Sequence, residues 1–186
     1  YIKSIKSSKI KKFKFKGSIY EALNFGIDKS KGNLVGILHS DDIFFNKNTL
    51  SLIAKEYSQR KSDVIFGNIA YCKKNNILKI VRLWNKIKTK KKYEIPPHTG
   101  TFIKKNILKK NKYKKSFIIS GDTELLLRIF NKNIRYSYIN KFITIMRVGG
   151  LSTNLFFLLK KISEDLKIFK IYNLNFVDYL LKVMSK

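Results

Sequence analysis

Ile19, Ala22, Leu23 and Ile27 recur at helical spacing, and Gly32 follows where a helix would stop, so the pattern predicts a helix over Ser18–Ile27. The run Leu34–Leu38 comes at once, with the length and branched character of a buried strand. A second helix is expected over Leu50–Tyr57. It is followed by a strand over Asp63–Tyr71 built on Val64, Ile65, Phe66 and Ile69. Helix, short turn and apolar strand form half of a doubly wound unit, so the class is α/β. Tyr1–Lys16 alternates weakly between Lys and Ile or Phe, as a basic strand or a loop. Cys72–Tyr93 reads as a hairpin or loop excursion with a basic tip, and Pro96-Pro97-His98-Thr99-Gly100 punctuates the chain. Beyond a Lys-rich connection, Gly121 opens a periodic helix through Leu125, Leu126, Ile129 and Phe130, and Tyr136–Met146 reads as a strand. Leu158, Leu159, Ile162, Leu166 and Phe169 form one stripe in an amphipathic tail over Leu155–Lys186. That stripe packs onto the protein's own core, or lies in a membrane interface with its lysines toward lipid headgroups.

At 186 residues the chain is long enough for a single core. Neither an internal repeat nor a linker breaks it, and no stretch approaches the roughly 20 apolar residues of a membrane span. The lone Cys72 excludes an intrachain disulfide and offers no metal-ligand spacing. Because the chain opens at Tyr1 without an initiator Met, a fragment is expected. The formal charge of +28 invites a nucleic-acid reading, yet only five of the 40 basic residues are Arg. Arg is the residue suited to bidentate reading of phosphates and bases, so specific nucleic-acid recognition is not expected. Lysines cluster at Lys9–Lys16, Lys88–Lys92 and Lys109–Lys115, as solvated faces whose field attracts an anionic leaflet or phosphorylated ligands.

Against this charge, the adjacent acids Asp41 and Asp42 need a reason. They follow the apolar run at a strand's carboxyl end, where open α/β sheets bind ligands and where a divalent cation would hold a phosphate. The competing explanation is a turn or N-cap pair opening the next helix.

Five segments, in order, resemble family 2 glycosyltransferases of the GT-A fold, of the bacterial polysaccharide-building kind, over roughly residues 17–154. Gly17-Ser18-Ile19-Tyr20-Glu21-Ala22-Leu23-Asn24-Phe25-Gly26-Ile27 is similar to the family's G-I-Y-D-A-M-N-x-G-I helix. Gly32-Asn33-Leu34-Val35-Gly36-Ile37-Leu38-His39-Ser40-Asp41-Asp42 is similar to its acid-pair segment. Pro97-His98-Thr99-Gly100-Thr101-Phe102-Ile103 resembles P-H-x-x-x-F-[IV], Gly121-Asp122-Thr123-Glu124-Leu125-Leu126-Leu127-Arg128 resembles the acidic D-x-E block, and Met146-Arg147-Val148-Gly149-Gly150-Leu151-Ser152 closes the set.

The resemblance implies a GT-A sheet, Rossmann-like and flanked by helices, in a partial domain over residues 1–154 that lacks its first βα unit. A C-terminal helical tail over residues 155–186 follows. It also implies inverting, metal-dependent transfer from a nucleotide-diphosphate sugar donor to a glycan or lipid-linked acceptor. The setting would be cytoplasmic, with peripheral contact to an anionic membrane. By family pattern Asp42 is the direct Mg²⁺ or Mn²⁺ ligand, with Asp41 toward the donor ribose or sugar. Asp122 is the expected base for the acceptor hydroxyl, with Glu124 as runner-up because a helix N-terminus favours the ionised, less basic Asp122. The family's usual Glu-Asp pair is reduced here, since Gly121 occupies the first position. His98 is expected to contact acceptor or donor phosphate, Arg147 to face the pyrophosphate from a loop, and Tyr20 and Asn24 to lie near the donor base or to serve helix packing. The family's opening strand, with the Asp that holds the base, has no counterpart in this chain. A nonspecific nucleic-acid-binding module and an inactive GT-A scaffold are the alternatives.

Overall fold

The computed structural model describes residues 9–85, 87, 89, 91–149 and 155–184. The weak alternation over residues 1–8, the end of the Gly149-Gly150-Leu151-Ser152 segment and the domain boundary at residue 154 lie outside them. The first helix, α1 (Ile19–Lys29), starts in a capping box. Ser18 accepts from the Glu21 N–H while Glu21 returns a bond to the Ser18 N–H, so two orphan donors are satisfied. Strand β1 (Leu34–Gly36) stops short of the expected Leu38 and is only half-buried, because it is an edge strand whose partner is β5 (Thr101–Lys104), running antiparallel. Strand β2 (Ile43–Phe44) and helix α2 (Thr49–Arg60) follow, and Lys61 ends α2 in the left-handed region at φ 52°.

The central strand, β3 (Val64–Lys73), is buried from Val64 to Ala70 and runs past the expected Tyr71 into a hairpin with β4 (Asn76–Trp84). A 3-10 turn at His98–Gly100 leads into β5. The Lys-rich connection contains an unexpected short helix, α3 (Lys105–Lys110), whose one buried apolar residue, Leu108, leaves too little periodicity to read. Helix α4 (Gly121–Phe130), strand β6 (Tyr136–Arg147) and helices α5 (Leu155–Ile171) and α6 (Phe176–Met184) complete the chain.

The strand order is β1-β5-β3-β6-β2, with β4 also on β3. The β3–β6 pair is parallel and the others antiparallel. Alternation along β3 divides the core, as a pleated strand must. Val64 and Phe66 face the cluster that holds Tyr20, Ile27, Leu125, Leu126, Ile168 and Phe169, whereas Ile65 joins Ile53, Phe102, Ile139 and Ile143 beneath α2. In α5, Ile168 and Phe169 are fully buried in that first cluster, but Leu158 and Leu159, expected on the same stripe, are 42% and 61% exposed. The packed face of α5 is therefore rotated from the one the spacing suggested. None of the helices among the described residues is long and apolar enough to cross a membrane.

The 3-10 turn is pressed against β3. A Cβ on Gly100 would lie 2.9 Å from the Gly67 carbonyl oxygen and 2.8 Å from the Ile69 side chain. A backbone oxygen cannot swing aside, so Gly100→Ala is expected to destabilise the fold by about 1–3 kcal/mol, read as a lowered urea midpoint at unchanged m-value.

Candidate active site

Residues 37–40 carry the chain from β1 to Asp41 and Asp42, and a tight turn closes there through the Asp42 N–H donating to the His39 carbonyl at 3.1 Å. Strand β2 then pins the acids to the sheet by pairing Ile43 with Ile145 and Phe44 with Thr144 of β6. From the end of β6, Arg147 donates to the Asp41 carbonyl at 3.1 Å and to the Lys74 carbonyl at 2.7 Å, so it sits on a strand end and not on the expected loop. Asp122 approaches from the first turn of α4, and His98 from the 3-10 turn. A cleft of about 720 Å³ brings Tyr20, Asp41, Asp42, His98, Asp122 and Arg147 together, six of the eight residues expected from sequence.

The other two do not line it. The Asn24 side chain is consumed by both backbone groups of Tyr113, donating to the carbonyl and accepting from the N–H at 2.9 Å each, so it fixes the 111–115 segment. Glu124 is fully buried and held by Arg128, by Lys114 at 2.7 Å and by the Tyr172 hydroxyl at 2.8 Å. Burial alone would raise its proton affinity, but these partners together hold its carboxyl below the usual range. A carboxylate so committed is structural, and Asp122 remains the acid of α4 in the cleft.

Sequence reasoning missed His39, Tyr71 and Arg82, which also line the cleft. Arg82 stacks its guanidinium 3.8 Å above the Tyr71 ring across the β3–β4 hairpin. That two of only five arginines lie in the cleft was a usable signal. Tyr20 shapes the acidic turn. Its hydroxyl donates to the Ile119 carbonyl at 2.5 Å and accepts from the Gly121 N–H at 2.8 Å, and its ring occupies the space where a Cβ on Gly121 would come within 2.6 Å. Glycine is thus the residue this packing accepts beside Asp122. Tyr20 also stacks on Tyr113, whose hydroxyl meets His98 Nε2 at 2.6 Å. Burial holds the His98 imidazole below its usual range, against the nearby Asp122 charge, so the ring is neutral near pH 7.

Asp42 is electrostatically exceptional. It is 6% exposed, and its Oδ2 is buried without a hydrogen-bond partner. Burial, and then the Asp41 charge, push its carboxyl up to about 6. The chain has 40 cationic residues, and among the described residues six acids stand in ion pairs with them: Glu21, Asp28, Glu56, Asp63, Glu124 and Asp165. Among the described residues Asp41, Asp42 and Asp122 have no such partner, and all three face the cleft. The described residues include no group of three or more His, Cys, Asp and Glu side chains gathered as a cation site. Mg²⁺ and Mn²⁺ need few protein ligands when substrate phosphates and water complete the shell, so the orphaned Asp42 oxygen beside Asp41 fits such an ion.

The sequence profile of glycosyl transferase family 2 matches residues 1–135. The chain belongs to this family. No curated protein sequence matches it significantly. Among solved structures, residues 1–349 of S. aureus TarS superpose with a TM-score of 0.56 at 18% identity, over 70% of this chain and 40% of TarS 1–349. The same TarS segment in complex with UDP-GlcNAc gives 0.54 at 19%, over 68% and 38%, and in complex with UDP 0.54 at 20%, over 68% and 39%. At these identities the likeness is one of fold, and the chain spans less than half of each TarS chain. The family 2 chain therefore has the α/β, GT-A-like architecture expected of it, but residues 37–40 separate its acid pair from the end of β1, and the pair lies in the turn that leads into β2.

The raised Asp42 has a sign that can be checked. The unfolded aspartate loses its proton near its ordinary value of about 4, the folded one near 6. The native state binds more protons over that interval, so stability falls as pH rises through it and levels off above. Asp42→Asn is expected to flatten this slope and to raise the melting temperature at pH 7.5 by about 2–4 °C, the shift that about 1 kcal/mol gives at this size. Millimolar Mn²⁺ is expected to raise the wild-type melting temperature at pH 7.5, less at pH 5, and not at all in the variant, as read by scanning calorimetry.

Proposed function

We propose that this family 2 chain carries the reacting half of an inverting, cation-dependent transfer of a sugar from a nucleotide-diphosphate donor to a glycan or lipid-linked acceptor. The observation that carries the reading is the trio Asp41, Asp42 and Asp122, free of ion pairs in a strongly basic chain and turned into one cleft. UDP and UDP-GlcNAc bound to TarS, a structure of the same fold, support a uridine-type donor.

Asp42, with Asp41 beside it, would hold the cation, which when bound offsets the charge that collects on the departing diphosphate. Arg147 fixes the acid turn through the Asp41 carbonyl and presents its guanidinium at the same wall. Asp122 accepts the proton of the acceptor hydroxyl as that oxygen bonds to the anomeric carbon. The bond from that carbon to the diphosphate oxygen breaks, and the nucleoside diphosphate leaves with the electron pair. Attack opposite the leaving group inverts the configuration. Neutral His98, held by Tyr113, supplies a hydrogen bond to substrate and no charge.

In this protein, Asp42→Asn and Asp122→Asn are each expected to lower kcat by about 100-fold or more, the usual contribution of a positioned base or charge stabiliser. Release of nucleoside diphosphate from UDP-GlcNAc and other UDP-, GDP- and dTDP-sugars measures this. Unchanged turnover in both variants overturns the assignment.

A further inference from the structure

The turn that delivers Asp122 is held from outside the acid-bearing segments. Three successive backbone N–H groups, those of Ile118, Ile119 and Ser120, point at one carboxylate, Glu164 in the middle of α5. The Ile118 donor reaches Oε1 at 2.9 Å, and the Ile119 and Ser120 donors reach Oε2 at 3.0 and 2.9 Å. Glu164 is 5% exposed. Charge-assisted bonds from backbone amides to a buried carboxylate are among the stronger and more directional contacts in a protein. Ser120 is the N-cap of α4 but makes no side-chain capping bond, so the approach to the helix is organised by Glu164. The same C-terminal helices reach α4 twice more. Tyr172 donates to Glu124 at 2.8 Å, and Lys182, 3% exposed, approaches the Thr123 hydroxyl at 3.4 Å while lying 3.8 Å from the buried Asp165. From the opposite side, Tyr20 closes the clamp on Ile119 and Gly121.

We propose that Glu164 is a positioning residue of the transfer reaction, seating the 118–121 turn so that Asp122 faces the acid pair across the cleft. The inference rests on the reading of Asp122 as the base. A carboxylate is required at position 164 because it accepts on both oxygens at once. Glutamine, of equal size, retains one acceptor and turns an NH₂ donor toward at least one of the three N–H groups. The C-terminal helices are on this account part of the reaction centre, although none of their side chains lines the cleft. Displacing a reacting group by about 1 Å costs on the order of 100-fold in rate, which sets the scale of the effect.

The test compares Glu164→Gln, Glu164→Ala and Asp122→Asn in this protein, with the nucleotide-sugar panel as probe. Glu164→Gln is expected to lower kcat about 10- to 100-fold with KM for the donor changed less than about threefold. The Mn²⁺-induced rise in melting temperature should be kept, because the Asp41–Asp42 side is untouched. Hydrogen exchange should rise at the amides of residues 118–122 and stay unchanged in β3. Glu164→Ala is expected to behave likewise, and if it fails to fold the glutamine variant decides. Wild-type kcat in Glu164→Gln beside an inactive Asp122→Asn overturns the positioning role alone. Full activity in Asp122→Asn overturns the underlying reading. Unaltered exchange at residues 118–122, or loss of the Mn²⁺ response together with kcat, also overturns the role, the latter by showing general damage to the fold.

Discussion

Parallel pairing of β6 with the buried strand β3 is the contact on which the cleft depends. Along one edge β6 matches β3 from Tyr136 to Arg147, with a register shift where Gly67 meets Asn68. Along its other edge it holds the two-residue strand β2, which follows the acid pair directly. A strand of two residues has almost no stability of its own, so Asp41 and Asp42 are as rigid as β6 makes them. The same strand ends in Arg147, whose guanidinium grips the Asp41 carbonyl. One ladder therefore fixes both the acids and the wall beside them.

The carboxylates of this chain divide by what surrounds them. Glu124 is buried with two cations and a tyrosine hydroxyl, which keep it charged and immobile. Asp42 is buried with another acid as its neighbour and one oxygen unsatisfied, which leaves it costly to ionise. The first arrangement builds a scaffold. The second stores an unfavourable charge that a ligand can relieve, as functional sites commonly do. Glu164 belongs to the first kind by its satisfied oxygens and serves the second by what it holds.

Much of this was legible in the chain. The helix before the acids, the strand Val64–Ala70 and the helix after Gly121 all form where the sequence placed them, but in α1 Tyr20 and Ile27 are buried while Ile19, expected on the packed face, is 47% exposed. The family pattern pointed to the residues that meet in the cleft, but local spacing could not separate Asp122 from Glu124. The i,i+4 partner Arg128 is local, but Lys114 and Tyr172, which complete the hold on Glu124, come from outside the helix. For Asn24 the choice between donor contact and packing was open for the same reason, since its partner Tyr113 lies 89 residues away. The short β1 and the helix α3 were misjudged because an edge strand and a six-residue helix bury too few side chains to imprint a period. The α5 stripe failed through its Leu158 and Leu159, which spacing alone placed on the packed side.

Three carboxylates, Asp41, Asp42 and Asp122, share their cleft with the guanidinium groups of Arg82 and Arg147, in a chain of net charge +28. Two fields of different range follow. The lysines act over roughly a Debye length, about 8 Å at physiological salt, and draw any polyanion toward the protein at a rate that added salt suppresses. Inside the cleft charges of both signs stand together, and an anion meets the Asp41–Asp42 pair on the wall where Arg147 also stands. The long-range attraction is therefore indifferent to the kind of anion, and discrimination among anions falls to the mixed charges of the cleft.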